Sequence, residues 1–187
     1  MSLLLLLSAF GQAAAAPAEP AYEARPFAQA LQDFERLCVT PLPSQPAFIA
    51  AMDAGAVGWR RVPRTADEIF GSGLKWRAPA IGQITYHYNE RIVHVIGGPA
   101  CHLEFRTDAS FRHDAAAASV ERQLGLPPGT DTSDRRTTQN EWEMRRADGM
   151  EIRVFLTSNV AVPGGPGARL SISRRNLAPL PREMTGR

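Results

Sequence analysis

The chain has 187 residues and a formal net charge of +2. That balance argues against nucleic acid as the main partner, because duplex binding needs a concentrated basic face. The length suits one domain able to bury its own core, and Lys75, the only lysine, leaves Schiff-base chemistry no other candidate.

The N-terminus reads as a cleavable signal peptide. Leu3 to Leu7 form an unbroken apolar run, extended by Ser8 to Phe10 and followed by small residues from Ala13 to Ala16. The run is far shorter than the ~20 residues of a membrane span. Cleavage after Ala15 uses Ala13 and Ala15 as the small-x-small pair; cleavage after Ala18 is the competing site. The expected organisation is a signal peptide over 1–15, a linker over 16–25, one α+β domain over 26–175 and a C-terminal tail over 176–187. The mature chain is expected to be soluble, without a transmembrane segment, and periplasmic or secreted.

From Pro26 to Val39, the residues Phe27, Ala30, Leu31, Phe34, Leu37 and Cys38 recur at three- and four-residue steps, which predicts an amphipathic helix. Pro41 and Pro43 stop it. Ser44 then caps a second helix with Pro46 in its first turn, burying Phe48, Ile49 and Met52 and ending near Gly55, so the two form a helical hairpin. Trp59 and Val62 begin a short extended piece. Thr65 and Glu68 have capping-box spacing around a short helix, and Gly71-Ser72-Gly73 reads as a connector.

From Ile81 the period becomes two. A turn at Asn89-Glu90 pairs Tyr86 with Val93 and Ile84 with Val95. Ala100 to Thr107 continue with Cys101, Leu103 and Phe105 on one face and His102, Glu104 and Arg106 on the other. A helix is expected over Ala115 to Leu124, capped by Asp114 and ended by Gly125, and Gly129 to Thr138 read as an exposed loop. For the last hairpin, a two-residue turn would set Met144 against Arg153. A three-residue loop, Ala147-Asp148-Gly149, pairs Met144 with Ile152, Trp142 with Val154 and Glu143 with Arg153, and this register is the one expected. Leu170 and Ile172 belong to a further strand after the glycine-rich loop from Val162 to Gly167. The expected whole is an antiparallel sheet of about five strands with the N-terminal helical hairpin packed on one face.

Two cysteines, Cys38 and Cys101, both fall on apolar faces. In an exported chain such a pair reads as a disulfide, with two buried free thiols as the alternative. A bridge would close a loop of about 60 residues and stabilise the fold by roughly 3 to 4 kcal/mol in the chain-entropy model. The pattern Phe27, Phe34, Cys38, Ala54-Gly55-Ala56-Val57-Gly58-Trp59 and an inward Cys101 resembles a set of small exported bacterial proteins of unknown function. The resemblance covers about residues 26 to 106. It implies a helix-to-strand disulfide and an α+β fold, and carries over no catalytic residue.

Catalytic motifs are missing: no nucleophile elbow occurs, and neither glycine cluster has the following helix that a phosphate loop requires. His87 and His94 lie diagonally on one sheet face in the hairpin above, and His102 joins them if its strand pairs alongside; three imidazoles there suit zinc or copper. No cofactor is otherwise implied. The expected function is a non-catalytic binding or accessory protein, inhibitor-like or immunity-like, whose partner is another extracytoplasmic protein. The alternative is a small metal-dependent hydrolase using the three histidines.

Overall fold

Alternating burial along Ala100–Arg106 sets the plan of the molecule. Cys101, Leu103 and Phe105 are wholly buried, while His102, Glu104 and Arg106 between them are only partly so, as a strand sends successive side chains to opposite faces. The computed structural model describes residues 20–42, 44–54, 58–63, 73–79, 81–87, 99–145 and 150–176, and carries this alternation across one antiparallel sheet. Its strands are β1 (Arg60–Arg61), β2 (Gly73–Ala78), β3 (Gly82–His87), β4 (Ala100–Arg106), β5 (Thr130–Asp131), β6 (Thr138–Arg145), β7 (Met150–Val162) and β8 (Gly165–Asn176). They lie in the order β1-β2-β3-β4-β8-β7-β6-β5.

The fold class is α+β with an antiparallel sheet, but the sheet has eight strands rather than about five. Gly73, expected in a connector, opens β2, whose Leu74, Trp76 and Ala78 gain an apolar face because Phe48 of a covering helix packs edge-on against Trp76 at 5.2 Å. Thr130–Asp131, expected in a loop, forms β5 on the edge of β6. The turn at Asn89-Glu90 and its partners Val93 and Val95 lie outside the described residues, as does the short helix expected around Thr65 and Glu68. Ile84 and Tyr86 themselves are flanked by Trp76 and Leu74 on one side and by Leu103 and Cys101 on the other. Both edges of β3 are thereby taken by β2 and β4. Any strand with the same alternation satisfies a buried face, and the nearest in sequence is only one such strand.

The last hairpin has the expected register: Met144 pairs with Ile152, Glu143 with Arg153 and Trp142 with Val154. β7 and β8 run on as a longer ribbon that turns at Pro163-Gly164, so Gly165 to Gly167 belong to a strand and not to a loop. Asn159, in the left-handed conformation at φ 62°, marks a bulge between Ser158 and Val160. Gly82 allows β3 to lie against β4, since a Cβ there would sit 2.0 Å from the Glu104 carbonyl oxygen.

Among the described residues, three helices cover the apolar face. α1 (Phe27–Phe34) tightens directly into a π-helical turn, Glu35–Val39, which buries Leu37 and Cys38 together. From there Cys38 is disulfide-bonded to Cys101 in the middle of β4, with the Cα atoms 5.4 Å apart. α2 (Gln45–Ala54) begins as expected, with the Ser44 hydroxyl accepting the Ala47 N–H at 3.2 Å, and stacks Phe48 on Tyr86 at 4.4 Å. α3 (His113–Leu124) is capped by Arg112 without a side-chain hydrogen bond, not by Asp114. Asp114 lies one step inside the first turn, where its charge still favours the N-terminal end of the helix dipole. Gly125 ends the helix in the left-handed conformation. Residues 20–25 run along one end of the sheet: the Tyr22 N–H donates to the Pro163 carbonyl, and Arg25 bridges to Thr107.

Candidate functional site

Across β3 and β4, Thr85 pairs with His102 and His87 with Ala100, so the two imidazoles fall on a diagonal of the face opposite the helices. Their ring centroids are 5.2 Å apart and the planes meet at 66°. Burial, followed by the neighbouring His87 and Arg169, pushes the His102 imidazole down to about 3. Burial and then Lys75 lower His87 as well. Both rings are therefore held in the neutral form. His94 lies outside the described residues. Among the described residues no three histidine, cysteine, aspartate or glutamate side chains converge to hold a metal ion. The fourth histidine, His113, is structural in its contacts: Nε2 lies 2.7 Å from Asn140 Oδ1 and Nδ1 meets the Ser158 hydroxyl, which ties the start of α3 to β6 and β7.

Beside His102 the small residues Ala100, Ser171 and Ser173 floor a hollow of about 330 Å³, walled by Phe155, Arg153 and Glu151. Within this charged wall Arg153 and Glu151 are ion-paired, whereas Arg175, which also lines the hollow, has no ion pair among the described residues. Arg153 reaches Glu151 at 3.0 Å, Glu143 at 3.2 Å and Glu141 at 3.4 Å, and Arg145 reaches Glu143 at 2.9 Å. Hydrogen bonds from Arg153 and then Arg145 hold the Glu143 carboxyl below the usual carboxylate range. These groups neutralise one another along the sheet, and their pairing is that of a cross-strand ladder.

A second cleft, of similar volume, opens on the helix side between the π-helical turn and the end of α3. Val39, Leu42, Leu124, Met144 and Ile152 line it as a continuation of the core.

The third, about 620 Å³, lies at the β1 end of the sheet. Arg60, Arg61 and Arg77 line it together with Pro20, Gly58, Val62, Pro63 and Pro79, and no carboxylate is among its described lining residues. Strand geometry spreads the guanidinium groups. Arg60 pairs with Arg77 on the face that carries the histidines, whereas Arg61 pairs with Trp76 on the helix face and lies 5.6 Å over its ring. Arg77 donates to Gln83 Oε1 at 2.8 Å. Arg60 and Arg61 are exposed, and neither has an ion pair among the described residues. Pro63, which has no N–H, follows the strand after the Val62 N–H has bonded to the Lys75 carbonyl at 2.9 Å.

The structure thus brings His87 and His102 together, joins Cys38 to Cys101, and leaves Arg60 and Arg61 exposed beside the third cleft, without an ion pair among the described residues. Sequence reasoning treated the last two only as part of a short extended piece. The available signal was Arg60-Arg61 directly before Val62-Pro63, the charge-and-proline composition of an edge strand. No family model matches the chain, and no curated protein or solved structure is significantly similar to it.

Proposed function

We propose that this chain is an exported, non-catalytic binding protein of the periplasm or extracellular space, acting on another extracytoplasmic protein in the manner of an inhibitor or immunity-type factor. The observation that carries the reading is the β1 end of the sheet, where Arg60 and Arg61 stand exposed beside a 620 Å³ cleft, without carboxylate partners among the described residues. Charge left unneutralised on an exposed strand edge contributes little to folding and is available to steer a partner of opposite sign. Export is supported by the leader-like first residues and by the buried Cys38–Cys101 bridge, which suits an oxidising compartment.

The test has two steps. Intact mass of protein recovered from the periplasm, with and without reduction before alkylation, should give a chain beginning at Ala16 or Glu19 that is alkylated only after reduction. A photo-crosslinker placed at Arg60 should then yield a discrete adduct in the periplasm that Arg61→Glu abolishes. A full-length, freely alkylated product removes the export part, and an adduct pattern unchanged by Arg61→Glu removes the binding part.

One observation favours the alternative, a metal-dependent hydrolase: the approach of His87 and His102 in their neutral, ligand-competent form. Stoichiometric zinc titration, followed by the imidazole carbon resonances, decides it. Saturable shifts of both rings at micromolar zinc would support that reading, and unshifted rings would end it.

A further inference from the structure

We infer that the β1 edge receives a short, acidic, extended segment of the partner as a ninth strand. The inference rests on the binding reading above and specifies its chemistry.

In an antiparallel pair, residues alternate between those whose backbone N–H and C=O face the neighbour and those whose groups face away. The Val62 N–H bonds to Lys75, opposite it in β2. Arg60, two residues earlier, therefore turns the same way. The N–H and C=O of Arg61 consequently point off the sheet, and β1 is the terminal strand of the order, with no strand beyond it among the described residues. An outward donor and acceptor on one residue form the docking pair that an incoming strand uses. Pro63 offers a carbonyl but no donor, which limits the pairing to a few residues.

Side chains supply the specificity. An added strand presents successive residues to opposite faces. A carboxylate opposite Arg61 would lie on the Trp76 side, and one at the adjacent position would face Arg60 and Arg77 on the other side. Two neighbouring acidic residues therefore meet guanidinium groups on both faces of the edge. Val62, Pro63 and Pro79 provide apolar wall for the side chains that flank them. Nucleic acid or an anionic membrane could use the charge but not the Arg61 peptide group, and three arginines at one strand end are a small footprint for either. The fit is to a polypeptide.

The experiment uses the mature, disulfide-bonded chain and a blocked peptide of about ten residues alternating glutamate with threonine, with a lysine–threonine peptide and oligothymidylate as the other arms. The expected result is saturable binding of the glutamate peptide, slowing of amide exchange at Arg61 by about tenfold or more, and loss of both in Arg60→Glu/Arg61→Glu. That variant should instead take the lysine peptide. Arg61→Pro, which deletes the outward donor and keeps Arg60, should weaken binding while the milder Arg61→Lys keeps it. Failure of the glutamate peptide to bind overturns the inference and identifies Arg60, Arg61 and Pro63 as guards of a sheet edge. So does equal binding of oligothymidylate with Arg61 exchange unchanged. If the peptide fails while the Arg60 crosslink persists, strand addition falls and the binding reading stands; if both fail, both fall.

Discussion

The two ends of the sheet treat charge in opposite ways. At the β6–β7 end, Glu141, Glu143, Glu151, Arg145 and Arg153 are knit across strands, and the Glu151 side chain is only 4% exposed. At the β1 end Arg60 and Arg61 protrude from a two-residue strand with no carboxylate beside them among the described residues. One end balances its charges and the other does not, and the consequences differ. Paired and half-buried groups hold register, since a slip by one residue would set like charges opposite one another. Unpaired and exposed groups cost the fold little and can serve an encounter.

The contrast can be broken by substitution. The disulfide sits between the two ends, so its loss tests the shared scaffold. Replacing Cys38 and Cys101 by alanine should cost roughly 3 to 4 kcal/mol in denaturant unfolding, because the bridge closes a loop of 63 residues. Next, Arg153→Ala should cost about 2 kcal/mol, since it strips the buried Glu151 of its nearest cation. The value falls below that of a fully buried pair because the Arg153 side chain is 42% exposed. Arg60→Ala, by contrast, should change stability by less than about 0.5 kcal/mol, so the same unfolding assay ranks the two arginines directly.

Acid sharpens the comparison further. His102 is depressed to about 3 from an ordinary 6.5, so below 6.5 the unfolded chain takes up a proton that the folded chain refuses. Stability should fall as pH drops from 6.5 towards 3, by an amount of order 2 kcal/mol after allowance for water reaching the site. His102→Gln should flatten that part of the profile. Glu121 adds to the same trend at lower pH. The Gly129 N–H and then the Trp142 indole hold its carboxyl below the ordinary 4.5, so its contribution is present above that value and is lost as pH falls through the depressed one. Glu121→Gln should remove this smaller acid-sensitive component, read from unfolding midpoints at successive pH values.

How far each part was legible follows from how local its cause is. The register of β6 against β7 could be tested on paper because Met144, Trp142 and Glu143 each had to find a matching partner across one short loop. The first helix, its π-helical extension aside, and the capped second helix follow from three- and four-residue spacing and from Ser44. β2 was missed although Leu74, Trp76 and Ala78 alternate with Lys75 and Arg77: the run is short, Gly73 reads as part of a connector, and Trp76 becomes core only under Phe48. The neighbours of β3 were not legible for a related reason: Tyr86 lies between Leu74 and Cys101, segments distant in sequence that local pattern does not single out. His87 and His102 lie together through the pairing of β3 with β4, while His94 lies outside the described residues.

By itself the sequence determined the periodicities, the α+β class, the last hairpin and the inward faces of both cysteines, because each depends on residues within a few positions of one another. Tertiary structure alone decided the strand order, the covering of β2 and β3 by α2, the approach of the two histidines and the exposure of Arg60 and Arg61. Those features depend on which of several equally apolar strands become neighbours, and that choice is made by the packing of the whole core and not by any local preference.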